Sequence, residues 1–282
     1  MAALRYRIVN VFAESALAGN PLCVFEDGSS LDTATMQALA LQFNLSETTF
    51  IVPPKVAGAT AQVRIFTPGF EMPFAGHPTL GTAHVVRELK NAGGSVKLEM
   101  KAGVIPVEAH GDEWTLKANA PRSHVPHVAR TEFAQMLGLP ESDVRDGALW
   151  VDTGSEQLIM PLASAEAVER CKPNPELLLR YSVGHKRNGL AYVWAHVDDR
   201  TIRARFFFTK HGSLVEDPGT GSACANLGGW HIAQGKTLPL EFKVMQGDQV
   251  GRPCRLGLCV DADKNIFVSG RVVSLGRGEI DL

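Results

Sequence analysis

Two stretches of this 282-residue chain echo one another. The first starts with a strand-like piece, Ala61 to Phe66, and passes through Thr67-Pro68-Gly69. It reaches Ala75-Gly76-His77-Pro78 and then a helical pattern running to about Leu89. The second starts with Ala204 to Thr209 and passes through Glu216-Asp217-Pro218. It reaches Gly219-Thr220-Gly221-Ser222-Ala223 and a helical run to about Gln234. Setting Gly76 on Gly219 gives an offset of 143 residues, close to half the chain. That repetition points to an internal duplication, with two lobes that face their helix starts toward one cleft. Pro78 suits the first helical position, because its missing N–H would be unpaired there anyway. Gly76 and His77 then sit at a helix start whose free N–H groups and dipole favour an anion.

Composition narrows the function classes. A net charge of −2 argues against a general nucleic-acid binder, which would show a basic face. No segment has the roughly 18 apolar residues that a membrane crossing needs. The N-terminus enters a strand pattern directly and carries no signal-peptide core. Cys23, Cys171, Cys224, Cys254 and Cys259 are an odd, scattered set without a Cys-x-x-Cys pair. Neither a zinc knuckle nor a disulfide framework is expected, and a cytoplasmic enzyme with reduced thiols fits.

Along the chain, Arg5 to Phe12 and Leu22 to Phe25 read as strands around the turn Gly19-Asn20-Pro21. Asp32 can cap a helix over about Thr33 to Phe43, where Met36, Leu39, Ala40 and Phe43 form one apolar face. Thr49 to Val52 is the next strand, which leaves Glu47 in the loop before it. Ser95 to Met100, Val104 to Glu108 and Trp114 to Ala118 read as an antiparallel meander, and Pro121 to Pro126 as a crossover between lobes. The second half predicts short helices near Thr131 to Leu137, Ala165 to Arg170 and after Pro175. Its strands are predicted at Ala148–Thr153, Glu156–Pro161, Gly189–Ala195, Leu240–Met245, Arg255–Val260 and Ile266–Leu275. Many short strands with one long helix per half fit neither a Rossmann nor an all-helical pattern. They point to two β-rich lobes, each curled around a helix.

Several chemistries find little support. Gly219 to Cys224 nearly matches a dinucleotide-binding glycine motif, but Cys224 holds the third glycine position and no regular βαβ context surrounds it. His124 with His127, and His84 with Glu88, lack a third metal ligand of recognisable spacing. Ser222 has no nucleophile elbow. Of the remaining residues, Glu47 reads either as a surface acid or as a base in a cleft, where burial would raise its pKa toward neutrality. His77 reads as a structural histidine or a functional one. Asp217 reads as a helix cap or a site acid.

Five ordered motifs carry a family resemblance. They are Asn44-Leu-Ser-Glu-Thr-Thr-Phe50, Arg64-Ile-Phe-Thr-Pro68, Phe74-Ala-Gly-His-Pro-Thr-Leu-Gly81, Glu216-Asp-Pro-Gly-Thr-Gly-Ser-Ala223, and Gln246-Gly247 with Gly251-Arg252-Pro253. Together with Val11-Phe12 and Gly19-Asn-Pro-Leu22 they resemble the phenazine-biosynthesis PhzF family over essentially the whole chain. The resemblance implies an α+β fold like that of diaminopimelate epimerase: two β-barrel-like lobes, each around a central helix, with the active site between them. The expected lobes are residues 1–118 with about 270–282, and residues 119–269. The epimerases' paired cysteines are missing, since Ala75 precedes Gly76 and Pro218 precedes Gly219. The resemblance assigns the acid–base role to Glu47, with His77, Asp217 and Ser222 as polar partners and Gly76, Thr220 and Gly221 among the substrate-binding residues. It implies a cofactor-free, often homodimeric isomerase acting on a small carboxylate. An epimerase using Glu47 with a second acid, and a non-catalytic acid-binding protein, remain as alternatives.

Overall fold

The computed structural model describes residues 3–184, 189–210 and 212–282. The chain divides into two compact units, Met1–Lys117 with Ser269–Leu282, and Ala118–Val268.

The first unit holds β1 (Ala3–Val11), β2 (Asn20–Phe25), α1 (Thr33–Phe43), β3 (Glu47–Val52), β4 (Ala61–Phe66) and β5 (Glu71–Met72). It continues with α2 (Gly76–Lys90), β6 (Ser95–Met100), β7 (Gly103–His110) and β8 (Glu113–Lys117). Helix α1 begins where Asp32 accepts the Thr35 N–H at 2.8 Å, a side-chain cap of the kind that satisfies one orphan donor. It ends at Asn44 in the left-handed region, φ 50°. Its Met36, Leu39 and Ala40 pack with Phe25, Phe50 and Phe66, and the Phe25 and Phe50 rings stack with centroids 4.8 Å apart.

The second unit holds β9 (Arg122–His124), α3 (Arg130–Leu137), β10 (Leu149–Asp152), β11 (Glu156–Pro161), α4 (Ala165–Arg170) and α5 (Pro175–Tyr181). Then come β12 (Leu190–His196), β13 (Thr201–Lys210), β14 (Ser213–Asp217), α6 (Gly221–Ala233), β15 (Leu240–Gln246) and β16 (Cys254–Val260). The last strand, β17 (Ile266–Asp281), starts in this unit and runs on into the first, where it pairs antiparallel with β1.

The duplication holds strand by strand. In the first unit β1 pairs antiparallel with β2, β2 parallel with β3, β3 antiparallel with β4, β4 parallel with β6, and β6 antiparallel with β7. In the second, β10, β11, β12, β13, β15 and β16 repeat those pairings in the same order and sense. Each long helix therefore bridges two parallel strands, after a hairpin with β5 or β14. Both helices are central. From Gly76 to Val86 every residue of α2 is buried, as are Gly221 and Ala223 to His231 of α6. A helix buried on all faces needs small or apolar residues all round, and both sequences supply them.

The structure corrects three local expectations. Pro78 is the third helical residue, not the first; the first intrahelical bond is Thr79 N–H to the Ala75 carbonyl at 3.2 Å, so Pro78 still forfeits nothing. The Pro121–Pro126 crossover contains β9, which pairs with β10. The expected antiparallel meander is present as β6, β7 and β8, and the helical crossovers add parallel pairs elsewhere in each unit. The final strand continues six residues past Leu275.

Candidate active site

In the first unit the site is built from the start of β3 and the start of α2. Glu47 is not in a loop but is the first residue of β3, opposite Leu22 in the parallel register with β2. Its carboxylate Oε2 lies 3.1 Å from His77 Nδ1, with the two side chains 17% and 5% exposed. The acid is therefore withdrawn from bulk solvent, and the imidazole almost wholly so. His77 Nε2 is buried without a hydrogen-bond partner among the described residues. With Nδ1–H donating to Glu47, Nε2 carries the ring's lone pair and can accept a proton. His77 follows Gly76, the first residue of α2, and the N–H groups of that first turn have no intrahelical acceptor. Thr79 and Thr82 in the same helix are held locally, by the Ala75 carbonyl at 2.6 Å and by Thr49 Oγ1 at 2.8 Å.

In the second unit the acid is Asp217, the last residue of β14. Thr220, the N-cap residue of α6, donates its hydroxyl proton to Asp217 Oδ2. Gln246 fixes this turn from β15. Its Oε1 accepts from Thr220 N–H at 3.3 Å, and its Nε2 donates to the Asp217 carbonyl at 2.9 Å and to Thr220 Oγ1 at 3.0 Å. The next residue, Gly247, sits at φ +83°, and a Cβ there would meet the Pro218 carbonyl oxygen at 2.4 Å. Only glycine lets that turn close on residues 217–220. Gly221 opens α6, and Ser222 follows it, partly exposed.

The structure thus brings together Glu47, Gly76 and His77 in one unit, and Asp217, Thr220, Gly221 and Ser222 in the other. Sequence reasoning missed Gln157, Asn226 and Thr153, which lie behind Ser222: Gln157 Nε2 donates to Ser222 Oγ at 2.9 Å. Asn226 carried a usable signal, a polar amide inside the otherwise small and apolar run Ala223 to Trp230. Cys224 is fully buried, and burial pushes its thiol far above the ordinary range. It is no acid–base thiol.

Each of the two like-folded α+β units thus holds a carboxylate with a polar partner at the start of its central helix. The chain belongs to the phenazine biosynthesis-like protein family (PhzC-PhzF), whose profile matches residues 9–278. It is 40% identical to an uncharacterised isomerase of Pasteurella multocida, over 98% of this chain and 93% of that one. It is 33% identical to the trans-2,3-dihydro-3-hydroxyanthranilate isomerase of Pseudomonas aeruginosa, over 89% of this chain and 88% of that one. Among solved structures, a PhzF-family protein of Bacillus anthracis superposes with a TM-score of 0.87 over all of both chains, at 24% identity. The fold alone extends to a hydroxyproline epimerase of Agrobacterium vitis, TM-score 0.70 at 13% identity, over 99% of this chain and 93% of that one. The protein is an isomerase of the PhzF family.

Proposed function

We propose that this isomerase works without a cofactor by moving a proton on the carbon skeleton of a small carboxylate-bearing substrate, similar to trans-2,3-dihydro-3-hydroxyanthranilate. Glu47 takes a proton from a carbon next to an unsaturated, carboxylate-bearing system and returns it elsewhere on the same skeleton. His77 holds the Glu47 carboxylate in place and relays the proton. The observation that carries this reading is the withdrawn Glu47–His77 pair, 3.1 Å apart, because a general base must be positioned before its pKa matters. Negative charge that develops on the substrate is met by the helix-start N–H groups near Gly76 and Gly221. Asp217 takes a donor group of the substrate, amino or hydroxyl, while Ser222 takes an acceptor. Amino and hydroxy acids fit that pairing.

The five cysteines are all free and four are buried, which supports a reducing, cytoplasmic setting. No helix among the described residues is long and apolar enough to cross a membrane. A homodimer is the assembly we expect, and light scattering reads it directly.

The test is incubation with a panel of cyclic and acyclic amino and hydroxy acids in heavy water, read by NMR. Deuterium should enter one carbon while the double bond moves. Exchange with loss of chirality at a single centre would make the enzyme an epimerase instead. Binding without any exchange would leave only an acid-binding protein.

A further inference from the structure

A chain of amides behind Ser222 has a direction, and one backbone group sets it. Asn226, in the middle of α6, is fully buried. Its Oδ1 accepts from the Thr153 backbone N–H at 2.9 Å and from the Thr153 hydroxyl at 2.7 Å. A backbone N–H can only donate, so the Asn226 amide has its oxygen on that side and its nitrogen on the other. That nitrogen donates to the Ser155 carbonyl at 2.8 Å and to Gln157 Oε1. The Gln157 amide is turned in consequence, and its Nε2 donates to Ser222 Oγ at 2.9 Å. The Ser222 oxygen is thereby an acceptor toward the protein, and its own proton points away from Gln157.

We infer that Gln157, oriented by Asn226, is a positioning residue that turns the Ser222 proton away from the protein, so that this hydroxyl favours a carboxylate oxygen over a cationic donor group. Left to itself a serine hydroxyl both donates and accepts, and it discriminates poorly between the two kinds of ligand. Here the balance is tipped toward donation by two buried amides: Gln157 is 4% exposed and Asn226 0%. Burying them is costly unless each polar atom is satisfied, and the chain ends on a partly exposed hydroxyl next to the helix start. The inference rests on the proposed function only for the claim that Ser222 meets the substrate.

The experiment uses Gln157→Glu, which keeps the shape of the side chain and still accepts from Asn226. At neutral pH the introduced carboxylate cannot donate, so Ser222 turns its proton inward. Anthranilate is the carboxylate probe and benzamidinium the cationic one, both titrated by NMR. Wild type should bind anthranilate saturably and prefer it. Gln157→Glu should weaken anthranilate about tenfold at pH 8, the scale of one hydrogen bond to a charged group. Affinity should recover toward pH 5, where the carboxyl regains a proton it can donate. In a Ser222→Ala background the same substitution should change affinity less than about twofold. An equal loss in both backgrounds would mean that bare charge acts on the ligand, and would overturn the inference. So would a wild type that fails to bind anthranilate or fails to prefer it.

Gln157→Met covers the case in which the carboxylate is not tolerated in the fold. It should lose the carboxylate preference with no pH dependence, and wild-type selectivity in that variant would also overturn the inference. Glu47→Gln keeps the two claims apart. It should bind anthranilate normally while losing proton exchange, so that survival of exchange would sink the base assignment and leave the serine result standing.

Discussion

The two units share a frame and differ in what their acids meet. At the offset that aligns Gly76 with Gly219, His77 falls on Thr220, and each is the residue that partners the acid of its own unit. The acids themselves do not correspond. Glu47 opens β3, and the residue 143 positions later is Leu190, which opens β12. Asp217 closes β14, and the residue 143 positions earlier is Phe74. The partner has stayed at the helix start while the acid has moved to another strand. The chemistry differs accordingly. In the Glu47–His77 pair both partners are acid–base side chains, 3.1 Å apart. Thr220 accepts from Gln246 and gives its own proton to Asp217, so that bond runs one way. A duplicated scaffold has come to hold an acid–histidine pair in one unit and an acid–hydroxyl pair in the other.

The largest effect should come from neutralising each acid in turn. Glu47→Gln should lower kcat by about 10²–10⁴, the usual worth of a positioned base, with the thermal midpoint little changed. Asp217→Asn should act mainly on KM and retain exchange of a substrate proton with heavy water. Steady-state kinetics and NMR exchange on the two variants read the difference. Equal losses of exchange in both would break the comparison and make Asp217 a second proton carrier.

Acid should separate the units next, through their buried histidines. Burial pushes His231 in α6 down to about 4, helped by the nearby positive charges of His196 and Lys236. In the first unit burial also lowers His84, but Glu88 opposes the shift. As pH falls below about 6.5 the unfolded chain takes up a proton that folded His231 refuses. Stability should therefore fall from there down to about pH 4, by roughly 3 kcal/mol from this residue, at about 1.4 kcal/mol per pKa unit. His231→Phe, which can keep the stack on Phe242, should flatten that part of the profile. Urea unfolding at pH 7 and pH 4.5 measures it, and an unchanged slope in the variant would remove His231 as the cause.

Much of this architecture was readable because its signals are local. Asp32 and the Met36, Leu39, Ala40, Phe43 spacing define α1 without reference to the rest of the chain. The glycines at the two helix starts mark the duplication in the same way. What was not readable depends on distant partners. Parallel pairing of β4 with β6, and of β13 with β15, was hidden because a short strand intervenes before each helix. Strand β14 lacks an alternating pattern, being exposed to half-exposed throughout, and forms because β13 offers it an edge. Glu47 belongs to a strand only because Leu22 sits opposite it. The link from Gln157 to Ser222 spans 65 residues, and no spacing rule brings two such residues together.

The smallest effects test how tightly each helix is gripped by its own unit. A Cβ on Gly229 in α6 would lie 2.7 Å from Pro121 Cβ and 2.8 Å from Val151 Cγ1. A Cβ on Gly81 in α2 would lie 2.6 Å from Leu22 Cδ2 and 2.9 Å from Val11 Cγ2. Overpacking of this kind costs about 1–3 kcal/mol, and the helix propensity of alanine returns about 1 kcal/mol. The proline ring beside Gly229 cannot turn aside, whereas the terminal methyl of Leu22 can. Gly229→Ala should therefore lose about 1–2 kcal/mol and Gly81→Ala less than about 1 kcal/mol, with thermal midpoints falling by about 2–4 °C per kcal/mol. The reverse order would mean that the first unit holds its helix more rigidly than the second. The rigidity needed to keep the Glu47–His77 distance would then reside in the packing of α2 itself.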